Sequence, residues 1–275
     1  MQHPDFQLSR CTGRKKALCI GINYVGQRNE LRGCVNDASS VYHFLVDYQH
    51  YKKEDIVYLS DEAQDPRSHP TRANMLNAMR WLVQDAHPHD SLFFHYSGHG
   101  GQTKDLDGDE VDGLDEVIFP VDYEHAGTII DDVLHETMVK PLPPGCRLTS
   151  CHSGSYHSNG RVKQGQVTRR FKERKSTPAD VISWSGCMDS QTSADTVENG
   201  LAVGAMSYAF IKVLKRNPEI SYMKLLQGLR EILNKRYSQK PQLSSSHRMP
   251  RRGNGVVCPA VIIHAFMRCA AIELG

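Results

Sequence analysis

The chain has 275 residues, 23% of them charged, with a net charge of only +2. That length suits one large or two small domains with a well-buried core, and the near-neutral balance offers no global field for nucleic acid or a membrane surface. No apolar run approaches the roughly 18 residues of a membrane-spanning helix, the first 14 residues lack the apolar stretch of a secretory signal, and the eight cysteines are scattered without a Cys-x-x-Cys pair, a pattern expected of a reducing cytoplasmic or nuclear setting.

In chain order, the apolar run at 17–22 predicts a buried strand, and Asn36-Asp37 predicts a helix start for 38–47. Residues 56–59 read as a second strand. Thr71 is expected to cap an amphipathic helix running to about residue 86, with Met75, Leu76, Met79, Leu82 and Val83 on one face. A third strand falls at 92–96. Strands at 181–184 and 260–264 bracket two helices, 204–217 and 221–237, separated by Pro218. Strand alternating with helix indicates an α/β fold, its central sheet mostly parallel, with helices on both faces.

Two stretches interrupt the alternation, and both read as solvated surface loops. Residues 101–116 are acidic; residues 156–178 are polar and basic, with Arg169-Arg170-Phe171-Lys172-Glu173-Arg174-Lys175 at their centre. The run Asp105-Leu106-Asp107-Gly108-Asp109-Glu110 opens like an EF-hand loop, but Glu110 stands where the sharp-turn glycine belongs, which excludes one.

The candidate chemistry lies in two blocks, Tyr96-Ser97-Gly98-His99-Gly100 and Ser150-Cys151-His152-Ser153-Gly154. Each sets a reactive side chain among small residues, where a substrate can approach the backbone. A cysteine paired with a distant histidine supplies a nucleophile and a base. Cys151 must lose its thiol proton to act; His99 can assist that step and then protonate the leaving amine.

These blocks, together with Leu31-Arg32-Gly33-Cys34-Val35-Asn36-Asp37-Ala38, Glu116-Val117-Ile118-Phe119-Pro120-Val121-Asp122, and Ser185-Gly186-Cys187 through Gln191-Thr192-Ser193-Ala194-Asp195, stand in the order of a type I metacaspase. The chain resembles that family from about Lys15 to its end. The resemblance implies a caspase-like sandwich: a short polar segment at 1–14, a large-subunit-like region at 15–155, a basic processing linker at 156–178 and a small-subunit-like region at 179–275. It implies a monomeric cysteine endopeptidase acting on polypeptides after Arg or Lys, with calcium as cofactor and no organic cofactor. The backbone N–H groups of Gly100 and Cys151 are the implied oxyanion donors. Cys34, Asp37 and Ser97 are the implied pocket for the basic side chain, although Asp37 by position alone suits a helix N-cap. Asp115, Asp131 and Asp132 are the implied calcium ligands. Arg169, Arg170, Lys172, Arg174 and Lys175 are candidate sites of self-cleavage in an exposed linker.

The chain departs from the family around Cys151. A central parallel strand reads as five or six mostly apolar residues, yet Cys146-Arg147-Leu148-Thr149-Ser150 leads straight from a Pro-Pro-Gly turn into Cys151. About four residues are missing, or about 13 Å of extended strand. The family's acid two residues before the nucleophile is replaced by Thr149. A further calcium-ligating Asp after Ser155 has no counterpart, so a weakened calcium site is expected. Two functions therefore follow: an Arg/Lys-specific cysteine endopeptidase, or a catalytically impaired protein of the same fold acting as a binding or regulatory module.

Overall fold

In a computed structural model the described residues are 3–104, 114–150, 176–185, 195–198, 201–236 and 241–247. The first strand, β1 (Lys15–Gly21), is buried along almost its whole length. Ala17 and Cys19 project into one core, Leu18 and Ile20 into the other. A strand covered on both faces has no polar side, and this is why it reads as an unbroken apolar run.

Helix α1 (Cys34–Asp47) follows, then β2 (Ile56–Ser60), α2 (Arg72–Val83) and β3 (Ser91–Ser97). The strands β4 (Gly100–Lys104), β5 (Leu114–Ile118) and β6 (Ile129–Ile130) come next, with a one-turn helix α3 (Tyr123–Ala126) before β6. A second short helix, α4 (Asp131–Leu134), runs into a π-helical turn at His135–Val139 and leads to β7 (Arg147–Ser150). The remaining described elements are β8 (Asp180–Ser185), β9 (Asp195–Glu198), β10 (Leu201–Gly204), α5 (Ala205–Arg216), α6 (Tyr222–Arg236) and β11 (Gln242–Ser245).

Six strands form the central sheet in the order β11-β8-β7-β3-β1-β2. Every neighbouring pair is parallel except β11 with β8. One face carries α1, α5 and α6 through Val41, Phe44, Ala209, Phe210, Leu225 and Leu229. The other carries α2 and the 131–139 helical segment through Met75, Met79, Leu82, Leu134 and Met138. The expected α/β sandwich with helices on both faces is observed. From β1 the chain moves outward to β2, and from β3 it moves the other way to β7 and β8. The two loops after β1 and β3 thus diverge at one point, and the crevice at the carboxyl ends of such strands is where open α/β sheets bind ligands.

Several expectations need correction. Helix α1 begins at Cys34, not near Asp37, because its first N–H groups are capped from outside the helix: Asn23 Oδ1 accepts from Cys34 N–H at 3.0 Å and from Val35 N–H at 3.4 Å. Thr71 does cap α2, accepting from Asn74 N–H, but the helix stops at Val83. Gln84 turns extended and Asp85 is left-handed, which ends the helical repeat. The acidic stretch at 101–116 is flanked by paired strands. In β4 part-buried residues alternate with exposed ones after the buried Gly100, so its polar outer residues gave it the look of a loop. The strand expected at 260–264 lies outside the described residues, as do residues 156–175 of the linker expected at 156–178 and residues 186–194 of the motif at 185–195.

Candidate active site

The site is built where the loops after β1 and β3 part. Gly21 ends β1 beside Ser97 at the end of β3. A Cβ on Gly21 would lie 2.6 Å from the Cys34 carbonyl oxygen and 2.8 Å from Val35 Cα. Only glycine lets the first turn of α1 rest directly on the strand end. That contact carries Asp37 over the end of β3, where its Oδ2 accepts from Ser97 Oγ at 3.1 Å. Both residues are buried. Asp37 is therefore not the N-cap of α1; that role belongs to Gly33 with the Asn23 side chain. Cys34, Asp37 and Ser97, expected to share one pocket, come together at this corner.

His99 stands two residues beyond Ser97 and is buried. Its Nε2 is 2.6 Å from the Asn29 carbonyl oxygen. A carbonyl can only accept, so this contact assigns the proton of the neutral ring to Nε2 and leaves Nδ1 as the basic nitrogen. The backbone around it is held by two phenols. Tyr24 Oη accepts from His99 N–H (3.0 Å) and donates to the Phe119 carbonyl (2.6 Å). Tyr96 Oη donates to the His99 carbonyl (2.7 Å) and accepts from Phe119 N–H (3.2 Å). The Tyr24 ring lies over the imidazole with centroids 4.4 Å apart.

Gly100 opens β4 opposite Ile118. Phe119 N–H donates to the His99 carbonyl at 3.2 Å, the one ladder bond between these two residues, because the His99 N–H turns to Tyr24 Oη. By the alternation of an antiparallel ladder, Gly100 and Ile118 are then the non-bonded pair. In that alternation the Gly100 N–H turns away from β5.

The three acidic residues expected to bind calcium lie at one end of the small sheet. Asp115 lies on β5 two residues before Val117, and Val117 pairs with Ile130, which directly precedes Asp131 and Asp132. Asp115 and Asp131 are buried. Their oxygens are the hard donors that calcium takes. Among the described residues, however, no group of three or more His, Cys, Asp or Glu side chains converges as metal ligands. The three carboxylates neighbour one another along the small sheet without forming a closed site among the described residues.

Cys151 and the linker residues Arg169, Arg170, Lys172, Arg174 and Lys175 lie outside the described residues. The strand that leads to Cys151 is described, and it is short. Its ladder on β3 consists of Ser91–Arg147, Leu92–Leu148 and Phe93–Thr149, whereas β3 itself continues four residues further to Ser97.

Sequence reasoning did not single out Asn23, Tyr24 or Asn29, and it gave Tyr96 no role beyond its place in the block that carries His99. Polar and phenolic residues directly after the buried run of β1 were the one available signal. Asn29 acts through its backbone carbonyl, which no side-chain pattern reveals.

A family model described as "Metacaspase, peptidase C14 domain" matches residues 15–158. The chain is 52% identical over 298 residues to Metacaspase-1 of Cryptococcus neoformans var. neoformans, covering 90% of this chain and 65% of that protein. It is 49% identical over 296 residues to Metacaspase-1 of Schizosaccharomyces pombe, covering 88% of this chain and 70% of that protein. This chain thus spans about two thirds of the length of these relatives. The matched span of 298 residues exceeds the 275 residues of the whole chain, so the relative carries residues within this region that this chain lacks. A crystal structure of a Geobacter sulfurreducens protein, 23% identical, superposes with a TM-score of 0.60 over 87% of this chain and 96% of that one. That likeness extends to the fold.

Proposed function

The chain belongs to the metacaspase family of cysteine peptidases, and from that premise we propose that it is a cysteine endopeptidase that cuts polypeptides after Arg or Lys with His99 and Cys151 as its dyad. His99 Nδ1 takes the thiol proton of Cys151. The thiolate attacks the scissile carbonyl, and the N–H groups of Gly100 and Cys151 receive the developing oxyanion. Such a donor typically contributes about 3 kcal/mol. As the tetrahedral intermediate collapses, His99 protonates the leaving amine; a water, activated by the same imidazole, then hydrolyses the acyl-enzyme.

The observation that carries this reading is the buried Asp37–Ser97 hydrogen bond at 3.1 Å, two residues ahead of His99 at the same sheet end. A buried carboxylate beside a base selects a guanidinium or ammonium group at the substrate position next to the cut. The Asn29 carbonyl takes the orienting role that a third catalytic acid fills in other hydrolases. Profiling a peptide library for the residue before the cut tests the assignment: Arg and Lys support it, and a preference for Asp overturns it.

A second reading has a specific observation behind it. The β3–β7 ladder ends at Thr149, which supports a protein of impaired turnover that keeps its basic-side-chain pocket. On this view the chain binds basic peptides more readily than it cuts them. Calcium, held in part by Asp115, Asp131 and Asp132, would supply positive charge to order the acidic end of the small sheet. With only three carboxylates, its affinity belongs in roughly the millimolar range. Self-cleavage is assigned to the basic linker, at Arg169, Arg170, Lys172, Arg174 or Lys175.

A further inference from the structure

None of the chemistry above uses the Tyr24 side chain, yet the loop after β1 is shaped around it. Tyr24 is left-handed (φ 55°), a backbone conformation that bulky L residues avoid, and it is buried. The bend brings its phenol beneath the turn that carries His99. Gly98 is accommodated to the same group: a Cβ there would fall 2.5 Å from Tyr96 Oη and 2.9 Å from Tyr24 Oη. The glycine between Ser97 and His99 thus leaves room for the two hydroxyls.

The same loop grips His99 at three places. The Tyr24 hydroxyl accepts the His99 N–H, its ring covers one face of the imidazole, and the Asn29 carbonyl, five residues on, takes Nε2. The stretch from Tyr24 to Asn29 is tied back on itself, since Gln27 N–H donates to the Tyr24 carbonyl at 3.0 Å and Gln27 Nε2 donates to the Val121 carbonyl at 2.8 Å. Burial pushes the Tyr24 phenol well up, so it remains a neutral donor to Phe119 throughout the working range.

We propose that Tyr24 is a positioning residue for His99: it fixes the backbone and ring plane of the histidine, and anchors the loop whose Asn29 carbonyl holds the proton on Nε2. The proposal rests on the reading of His99 as the general base. Without Tyr24 the imidazole gains freedom to rotate and to exchange tautomers, which takes the basic nitrogen out of line with the nucleophile. A misplacement of about 1 Å costs about 100-fold in rate.

The test uses the full chain as wild type, Tyr24→Phe, which keeps the ring and loses the hydroxyl, and Tyr24→Leu, which loses both. Nitrogen-15 shifts of the labelled His99 ring, read where the ring is neutral, report which nitrogen bears the proton. Wild type is expected to show a single Nε2–H tautomer, Tyr24→Phe a minor second form, and Tyr24→Leu a mixture. Turnover of an Arg peptide is expected to fall about tenfold and about 100-fold respectively, with KM within about twofold of wild type. Benzamidine, a probe of the Asp37 pocket, should bind all three alike. If Tyr24→Leu does not fold, Tyr24→Phe alone decides. An unchanged tautomer in every folded variant overturns the proposal. Absence of turnover in wild type would instead count against the peptidase reading, and the tautomer measurement would still decide the role of Tyr24.

Discussion

Thr149 pairs with Phe93, four residues before β3 reaches Ser97. Partners in a parallel ladder project to the same face, so Thr149 shares the core beneath α1 with Phe93. It lies about 13 Å short of the level of Ser97. The position where the family resemblance leads one to expect an acid therefore does not reach the level of Asp37 and Ser97. Thr149 is fully buried, and its Oγ1 has no hydrogen-bond partner among the described residues. Thr149→Val exchanges that hydroxyl for a methyl of the same shape. It is expected to stabilise the protein by about 1 kcal/mol, read as a higher denaturant midpoint with an unchanged slope. A loss of stability would mean that the hydroxyl is satisfied.

Register also specifies a repair. Four residues inserted between Thr149 and Ser150 would stand beside residues 94–97, and the fourth would share the face of Ser97. If that residue is Asp and the first three are apolar, the sheet core is extended and a second carboxylate joins Asp37. Insertion of such a segment, with an Asp-containing segment after Ser155, is expected to raise turnover of an Arg peptide by about 100-fold or more and to strengthen its response to calcium. If the unaltered chain already shows full calcium-stimulated turnover, the short β7 is not a functional loss.

The Asp37 carboxylate should set the substrate preference. Asp37→Asn keeps an acceptor for Ser97 but removes the charge. A charged hydrogen bond contributes about 1.5–3 kcal/mol, so kcat/KM for an Arg peptide is expected to fall about 10-fold to 150-fold, mainly through KM. Equal loss for Arg and for neutral peptides would mean a structural role for Asp37.

Buried thiols should be silent. Burial pushes the Cys146 thiol up to about 12 and raises that of the fully buried Cys19 as well. At pH 7.5 neither has an appreciable thiolate fraction. Iodoacetamide is expected to leave both unmodified in the native protein, as mass spectrometry of digests would show. Modification of Cys146 before unfolding would contradict its burial.

A buried ion pair closes the opposite end of the sheet. Arg147 Nη2 meets Asp180 Oδ2 at 2.5 Å, with both side chains inaccessible; Arg147 also donates to Tyr222 Oη, and Ser9 N–H donates to Asp180. Arg147→Met leaves Asp180 without its cation and should cost about 3–5 kcal/mol, much of it recovered by adding Asp180→Leu. His247, 3.5 Å from Asp180 and stacked on Phe6, is held below its ordinary pKa by burial, which outweighs the opposing pull of Asp180. Folding thus favours its neutral form. The stability it contributes is present above an unfolded value of about 6.5 and is lost as pH falls below that value through the lower folded one. His247→Gln should flatten this part of the stability profile.

Strands β1, β2, β3 and β8 and helices α1, α2, α5 and α6 were legible because each has either a run buried on two faces or an amphipathic repeat. Strands β4 to β6 were not: β4 and the start of β5 carry polar residues that read as loop, and β6 is only two residues long. The site divides in the same way. That Asp37, Ser97, His99 and Gly100 gather at one sheet end was legible through motifs. The cap on α1 from Asn23, the tyrosine pair and the Asn29 carbonyl depend on contacts between distant segments or on backbone atoms, which residue types do not encode.

The most direct test of the dyad and its specificity is steady-state cleavage of a fluorogenic peptide ending in Arg, measured at millimolar calcium for the wild-type chain, Cys151→Ala and His99→Ala, with the matched Asp peptide as control. Wild type is expected to cleave the Arg peptide and spare the Asp peptide. Both variants should retain their fold and lose several orders of magnitude in kcat, because a nucleophile and its base act as a unit. Equal hydrolysis by all three proteins, or faster cleavage of the Asp peptide, would contradict the assignment.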